Sequence, residues 1–368
     1  MFTREDTKII KGMAVTLMIL HHLWAFPERL PGGELKCLLS VSGESAIMYL
    51  GMFGKICVSL FFFVGGYGMY KTFQEQGVDL FRKLKGLYLS YWKVFVIFVP
   101  LGFIFFRDYP VYYKSSEFCN RFSVFSWDEL LKNFLGIYST YSSEWWFFQS
   151  YIYAVVSFVV VKKILDRYSA AINITIIILG SILVTNILPV IGNIEMIGTL
   201  NNNFLYKAFL CQPAPYIACF WMGGGMAKDD LLIKLQIQMK KNNMLNPISD
   251  VIILVLIVYI RTSGPGDALD IFYVPVMIVA ILDLVKRIHI LENMLLYIGK
   301  QSTNMWLIHG FFCYYFYDVV RLVVAPQWGV LSLILLMLLT YFASLLVTYI
   351  WNMEKKIVVI AKKKLDCK

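Results

Sequence analysis

The sequence contains little charge and few cysteines for its length. Of its 368 residues, 16% are charged and 59% are hydrophobic, whereas a soluble domain is about a quarter charged and about half apolar. This composition excludes a disordered chain, which is rich in charge and poor in apolar residues. Seven cysteines are too few for a secreted module held together by disulfides. Because a single soluble core stops growing near about 250–300 residues, the apolar excess predicts a membrane protein.

The sequence also lacks the motifs of several enzyme classes. It contains no Walker pattern, no glycine fingerprint for dinucleotides, no His-Glu-x-x-His and no Cys-x-x-Cys. We therefore expect no metal cofactor. The net charge of +10 does not require a nucleic-acid partner, because basic residues in membrane proteins mark the cytoplasmic loops.

Long apolar stretches are what the sequence has in abundance. A bilayer core of about 30 Å requires about 20 apolar residues per helix, and ten such stretches are present. They predict an all-α fold, a polytopic transmembrane helical bundle that forms a single domain over residues 1–368 without an appended soluble domain. We expect this bundle to reside in the cell membrane, that is, the plasma or inner membrane. The ten stretches cover residues 8–26, 46–70, 87–106, 145–161, 171–191, 206–226, 247–260, 270–285, 303–322 and 329–352.

The basic residues predict the orientation of the bundle. With ten spans both termini face the same side, and a cytoplasmic N-terminus places about two thirds of the 34 lysines and arginines in the cytoplasm. We therefore expect both termini to be cytoplasmic. The longest segment between spans, residues 107–144, then lies outside. Its aromatic residues could stack on sugar rings or form a lid at the membrane surface.

Histidines at membrane depth are candidates for function, because a polar side chain is costly there. His22 lies in the first span, eleven positions after Lys11. At about 100° per residue, this spacing returns His22 to within about 20° of the same helix face, about 16 Å further along, whereas His21 falls about 80° away. Such a stripe suits a ligand with an anionic head and a reactive tail, for example acyl-coenzyme A. Two simpler interpretations remain: Lys11 reaches for the interface, and His22 forms a hydrogen bond between helices.

Three further patterns have simpler interpretations beside the functional ones. Residues 82–85, Arg-Lys-Leu-Lys, follow the second span and either bind phosphates or mark a cytoplasmic flank. The two glycines at 65–66 allow a helix or a ligand to approach closely, and helix packing is the simpler interpretation. The three glycines at 223–225 are predicted to end the sixth span.

Five motifs follow one another along the predicted spans. They are Lys11 with His22 in the first span, Leu60 to Gly66 in the second, Arg82 and Lys85 before the third, Trp145 to Tyr151 in the fourth, and Gly299 with Ser302 followed by Trp306 to His309 near the end. In this order, and over essentially the whole chain, the sequence resembles the acyltransferase-3 family of bacterial membrane O-acyltransferases.

The sequence departs from this family at several positions. Lys11 and Lys85 stand where arginine is commoner, and Lys85 therefore lacks the bidentate fork of a guanidinium group. Ser90 stands where many members have proline. A Trp-Ser-Leu-x-x-Glu segment is missing, which leaves the partner carboxylate open, because Glu144 is nearby but not at the expected offset.

The resemblance implies an enzyme, an acyltransferase that moves an acyl group, usually acetyl, from cytoplasmic acetyl-CoA. The implied acceptor is a hydroxyl of a cell-surface polysaccharide, such as a capsule, or of its lipid-linked oligosaccharide precursor. His22 would be the general base or, alternatively, carry the acyl group itself, and His309 would orient or assist. Lys11, Arg82 and Lys85 would bind the phosphates of acetyl-CoA through charge-assisted hydrogen bonds.

Two other functions are compatible with a helical bundle of this kind. The first is a transporter or flippase for a lipid-linked sugar, although the repeats common in transporters are not visible in the sequence. The second is a non-catalytic membrane sensor or uptake module on the same frame. The acceptor glycan, the acyl chain length and the formation of a homo-oligomer stay open.

Overall fold

The structure is a computed structural model that describes residues 2–41, 43–108, 121–187, 213–264 and 266–366. The described part of the chain is almost entirely helical, as the apolar stretches predict. Apart from connecting loops, the described residues also form a two-residue antiparallel pair, β1 (Ser40–Val41) and β2 (Glu44–Ser45), in which Ser40 is opposite Ser45.

The α-helices of the described residues follow in chain order. They are α1 (Arg4–Trp24), α2 (Ala46–Gly54), α3 (Ile56–Gln76), α4 (Leu80–Phe105), α5 (Trp127–Phe134), α6 (Trp146–Arg167), α7 (Ala170–Ile182), α8 (Ala214–Lys228), α9 (Leu231–Lys241), α10 (Pro247–Ser263), α11 (Asp270–Lys286), α12 (His289–Gly310), α13 (Tyr317–Val324) and α14 (Gly329–Asp366). Short 3-10 turns occupy Pro27–Arg29, Ser143–Trp145 and Gly266–Leu269, and π-helical turns occupy Leu183–Ile187 and Phe311–Tyr315.

Among the described residues, five helical segments are long and apolar enough to cross a membrane. A sixth is a bent pair, which turns by 87° between α12 with its π-helical turn and α13. The five segments correspond to the second, third, fourth, eighth and tenth predicted spans, and the bent pair corresponds to the ninth. The chain is therefore a helical membrane protein. The five are Ala46–Gln76, Leu80–Phe105, Ser143–Arg167, Gly266–Lys286 and Gly329–Met353, and the bent pair is His289–Tyr315 with Tyr317–Val324.

The other four predicted spans stay predictions, each for a physical reason. The helix α1 is continuous over 21 residues, but two lysines and two histidines lower its hydropathy. The helices α10 and α7 have 17 and 13 residues, which is short for a span. The sixth predicted span, 206–226, begins outside the described residues, and α8 covers its second part.

The chain forms two compact units, each built from three stretches of sequence. The first unit contains Met1–His21, Met48–Leu84 and Trp146–Lys300, and the second contains His22–Ile47, Lys85–Trp145 and Gln301–Lys368. The helices α1, α2, α4 and α12 therefore each contribute residues to both units.

The core of the first unit is built on glycines that allow α3 and α8 to touch. At Gly66 the side of the helix where a Cβ atom would be faces the backbone carbonyl of Phe220. At Gly223 the same side faces the carbonyl of Phe63. A Cβ atom at either position would collide with these carbonyl oxygens. Packing of this kind between small residues is typical of membrane helices. The glycines at 223–225 thus lie inside α8, which ends at Lys228, and the prediction that they end a span is wrong.

The first unit also contains a buried network of ion pairs. The Arg261 guanidinium binds Asp270 at 2.8 Å and Asp267 at 2.6 Å, and Lys55 binds the other oxygen of Asp267 at 2.7 Å. The Ser59 hydroxyl donates to Asp270 at 2.6 Å. Because buried charges are tolerated only when they are paired and hydrogen-bonded, this network is a structural element of the unit.

The second unit contains a segment that runs back along α4. The contacts lie in order along the helix: Arg107 donates to the Ser123 carbonyl, Phe103 contacts Phe125, Phe95 contacts Phe134, Tyr91 donates to the Asn133 carbonyl, and Tyr88 donates to the Leu135 carbonyl. At about 1.5 Å per residue, they cover about 28 Å of α4. The described part of 107–144 therefore packs beside a candidate membrane span, and its location outside the membrane stays a prediction.

Candidate active site

A π-helical turn at the end of α12 places two consecutive tyrosines. The turn occupies Phe311–Tyr315 and precedes the 87° bend into α13. Turns of this type are rare and occur often at functional sites. Tyr314 contacts His22, and Tyr315 contacts Glu144, all within the second unit. The turn therefore organises a cluster around one of the predicted site residues.

The structure brings the two predicted site histidines together. His22 is half-buried near the end of α1, and His309 is fully buried near the end of α12. Their ring centroids are 4.9 Å apart and the rings are inclined by 45°. Since 287 positions separate them along the chain, neither spacing nor periodicity could have predicted this contact.

The His309 ring has a defined orientation. Its Nδ1 atom lies 2.6 Å from the Trp306 carbonyl oxygen. A carbonyl oxygen only accepts, so Nδ1 carries the hydrogen and Nε2 carries a lone pair. That Nε2 atom is buried and has no hydrogen-bond partner among the described residues. An unpaired buried acceptor costs about 1–3 kcal/mol, and a ligand that donates a hydrogen bond would remove this cost.

Glu144 is the carboxylate of this cluster. It is buried and accepts hydrogen bonds from the hydroxyls of Tyr315 at 2.7 Å, Ser142 at 3.2 Å and Ser143 at 3.2 Å. The position next to His309 is Gly310, where a Cβ atom would lie only 2.7 Å from Glu144 Oε2. The sequence left the partner carboxylate open. The structure places Glu144 beside the end of α12, within electrostatic range of His309.

Tyr314 and Phe26 hold His22 in place. The Tyr314 hydroxyl donates to the backbone carbonyl of His22 and lies 3.5 Å from its Nδ1 atom. The last carbonyls of a helix have no partner within the helix, so this hydrogen bond caps the end of α1. The Phe26 ring stacks on the His22 ring at 6.2 Å between centroids.

The cluster lies level with the middle of α4. Trp145, which follows Glu144, is buried and contacts the rings of Tyr91 at 4.9 Å and Phe95 at 5.9 Å. Its indole nitrogen donates to the Leu307 carbonyl at 3.0 Å. Tyr91 and Phe95 lie near the middle of this membrane-length helix. The site residues therefore lie beside the middle of a candidate membrane span, where polar groups are expensive and indicate function.

His21 has a different environment from its neighbour. It is buried in the first unit, and its Nδ1 donates to the Gly51 carbonyl of α2 at 2.7 Å. This hydrogen bond joins two helices, which is the structural role that the sequence also allowed for His22. The two adjacent histidines therefore have different partners: His21 binds Gly51 in the first unit, and His22 contacts His309 in the second.

The three cations predicted to bind phosphates differ in how deeply their side chains are buried. Lys11 is half-buried in the first unit and lies within electrostatic range of Lys83, which is also half-buried. Arg82 and Lys85 have exposed side chains. In the described part of the chain, neither Lys11 nor Lys83 forms an ion pair. Lys83 belongs to the basic run 82–85, from which the motif spacing selected Arg82 and Lys85. On α4 the side chain of Lys83 points about 100° away from that of Arg82.

One comparison with known proteins identifies the family. The model of a family described as an acyltransferase domain, acyltransferase-3, matches residues 6–352. No curated protein and no solved structure matches the chain. In the described residues no group of three or more histidines, cysteines or acids could hold a metal ion. The family match covers nearly the whole chain and includes all residues of the cluster. The chain therefore belongs to the acyltransferase-3 family and is a membrane acyltransferase.

Proposed function

We propose that this protein is a membrane O-acetyltransferase. It transfers an acetyl group from cytoplasmic acetyl-CoA to a hydroxyl of a cell-surface polysaccharide, such as a capsule, or of its lipid-linked precursor. The family match supports acyl transfer. The observation that carries the proposal is the pairing of His22 with His309, whose Nε2 has no partner among the described residues.

His22 acts as the general base in this proposal. The acceptor oxygen attacks the thioester carbonyl, a C–O bond forms, and the C–S bond breaks. The hydroxyl proton moves to the His22 imidazole and then to the sulfur of the leaving coenzyme A. An imidazole suits both steps because it gains and loses a proton near neutral pH. Transient acylation of His22 itself is the alternative route.

His309 and Glu144 support this chemistry. The lone pair of His309 Nε2 accepts a hydrogen bond from the acceptor hydroxyl and orients it. Glu144, to which three hydroxyl groups donate, provides a fixed negative charge in the same cluster. Such a charge stabilises the imidazolium that forms when His22 takes a proton.

Basic residues bind the donor in this proposal. Lys11 and His22 lie on one continuous helix, eleven positions apart. The phosphates of acetyl-CoA bind Lys11 together with Arg82 and Lys85, and we add Lys83 because it lies close to Lys11. Both termini then face the cytoplasm, and the protein resides in the plasma or inner membrane.

A histidine substitution with a matched control tests the proposal. Purified wild-type protein, His22→Gln and His289→Gln are supplied with labelled acetyl-CoA and capsular polysaccharide. General-base catalysis contributes about 10²–10⁴-fold, so His22→Gln loses at least about 100-fold in transfer rate. His289, whose side chain is 88% exposed, serves as the control and its replacement leaves the rate unchanged. Wild-type activity in His22→Gln would contradict the base assignment.

A transporter is the second candidate function. The 87° bend after α12 favours it, because transporters build substrate sites from broken helices. Turnover of labelled acetyl-CoA by the purified protein separates the two functions. A transporter moves a lipid-linked sugar across proteoliposomes without consuming acetyl-CoA.

A further inference from the structure

Two unpaired polar atoms in the second unit differ in their hydrogen-bonding character. His309 Nε2 is a buried acceptor and Arg121 Nε is a buried donor, and neither has a partner in the described part of the chain. Arg121 lies 5.5 Å from the Tyr315 ring, and His309 contacts His22, whose ring packs against Tyr314. A ligand that satisfies both atoms must bring a hydrogen-bond donor for His309 and an acceptor for Arg121.

Arg121 is held firmly by its other contacts. Its Nη1 donates to the Thr140 carbonyl at 2.7 Å, and its guanidinium group faces the Tyr315 ring. Among the described residues no ion pair joins Arg121 to a carboxylate. Two acids of the same unit have other partners: Glu144 accepts three hydroxyl hydrogen bonds and Glu129 accepts one from Thr140.

Arg29 takes the equivalent place beside the other tyrosine. Its guanidinium carbon lies 3.9 Å from the Phe26 ring centroid and 5.5 Å from that of Tyr314. Its Nε atom also lies 3.8 Å from Oε1 of Glu28. Two guanidinium groups therefore flank the tyrosines that hold His22 and Glu144.

We propose that the acceptor is an acidic sugar, whose carboxylate or phosphate binds Arg29 and Arg121 while its hydroxyl binds His309 Nε2. This inference rests on the proposed function and names its substrate class. A neutral sugar could donate to His309 and accept from Arg121, but it would bring no negative charge for the guanidinium groups of Arg29 and Arg121. The thioester end of acetyl-CoA would bring no hydroxyl for His309. Arginine binds carboxylates and phosphates with paired, charge-assisted hydrogen bonds, which suits this acceptor.

Ligand binding to the purified protein in nanodiscs tests the inference without catalysis. The probes are glucuronate and glucose phosphate, with glucose as the neutral comparison and coenzyme A as the competitor. The variants are Arg29→Gln, Arg121→Gln and the charge-retaining Arg121→Lys. Arg107→Gln is the control, because Arg107 is an exposed arginine of the same unit that donates to the Ser123 carbonyl. Size-exclusion profiles establish that each variant is folded.

We expect at least one acidic probe to bind about tenfold more tightly than glucose, as one charged hydrogen bond provides. Arg29→Gln and Arg121→Gln reduce this binding to the level of glucose, Arg121→Lys retains part of it, and Arg107→Gln leaves it unchanged. Equal binding of acidic and neutral probes, or no binding of either acid, would overturn the inference. Displacement of the acids by coenzyme A would assign the arginines to the donor and overturn it as well.

The inference and the proposed function fail separately. His22→Gln is expected to bind glucuronate or glucose phosphate as the wild type does, because the arginines remain in place. If that variant also retained acetyl transfer, the base assignment would be wrong while the acidic acceptor site stood.

Discussion

The Tyr315 hydroxyl lies 2.7 Å from Glu144 Oε2, and the neighbouring Tyr314 hydroxyl donates to the carbonyl of His22. The two consecutive tyrosines of the π-helical turn point in different directions and therefore reach two different partners. The turn thus joins the end of α1 to the buried carboxylate within the second unit.

Tyr314→Phe should lower the rate more than it lowers stability. The variant removes one hydrogen bond, which contributes about 0.5–1.5 kcal/mol, and it releases the terminal turn of α1 that carries His22. We expect kcat to fall by roughly three- to tenfold with little change in the KM for acetyl-CoA. Tyr297→Phe is the control, because Tyr297 is 58% exposed. Steady-state acetyl transfer measures both, and an unchanged kcat in Tyr314→Phe would contradict this role.

Glu144→Gln and Glu144→Ala should fail in different ways. The amide retains the size and part of the hydrogen bonding, so Glu144→Gln stays folded but loses the negative charge, and kcat falls about 10- to 100-fold. The alanine removes the acceptor of three hydroxyl groups, two of them on the buried residues Ser142 and Tyr315, and lowers the unfolding temperature. Rate assays and thermal unfolding in detergent separate the two effects.

The control for Glu144 is Glu34→Gln, because Glu34 is an exposed acid of the same unit. We expect Glu34→Gln to match the wild type in both measurements. Wild-type kcat in a folded Glu144→Gln variant would show that the charge has no part in transfer.

Gly310→Ala should disturb the cluster through volume alone. The added methyl group would lie 2.7 Å from Glu144 Oε2 and 3.1 Å from Ser142 Oγ, which is too close for ordinary contact. Overpacking of this kind costs about 1–3 kcal/mol, so the unfolding temperature and activity both fall. Gly68→Ala is the control, since nothing lies within 4 Å of its added methyl group and alanine favours a helix. Equal unfolding temperatures for the two variants would contradict the geometry of the cluster.

Lys11→Gln and Lys83→Gln should each raise the KM for acetyl-CoA by about tenfold, because a charge-assisted contact to phosphate is lost. The KM of the wild type should also rise with salt, which screens these charges. Lys163→Gln, at an exposed lysine of the same unit, is the control. A KM that does not respond to Lys11, Lys83 or salt would remove these residues from the donor site.

Asp270→Asn should destabilise the first unit strongly. It leaves the buried Arg261 guanidinium without its main partner, and breaking a buried pair costs about 3–5 kcal/mol. Replacing both residues, as Arg261→Met with Asp270→Leu, should recover much of the loss, because Asp267 retains Lys55 at 2.7 Å. Thermal unfolding measures this, and a double variant less stable than Asp270→Asn would contradict a purely structural network.

Local patterns in the sequence predicted the helices and part of the site. Apolar length predicted the helices that are long enough to span a membrane, and motif spacing selected His22 and His309, which the structure brings together. The close approach at Gly66 was predictable from residue size. Each of these signals lies within one helix, where periodicity and composition act directly.

Contacts between distant parts of the chain could not be predicted in this way. Glu144 lies far from His309 in sequence, and only the fold brings Gly310 against it. The return of residues 121–141 along α4 depends on hydrogen bonds from Tyr88 and Tyr91 to backbone carbonyls, which no sequence pattern encodes. Lys83 lies within electrostatic range of Lys11, and this proximity likewise depends on how α4 is rotated.

The most direct test of the account is a double-mutant cycle on kcat/KM for acetyl transfer, with His22→Gln, His309→Gln and the double variant. The central claim is that the two histidines act as one unit, so their substitutions should be far from additive. We expect each single variant to lose nearly as much activity as the double variant. Multiplicative losses, or wild-type activity in His309→Gln, would contradict the claim.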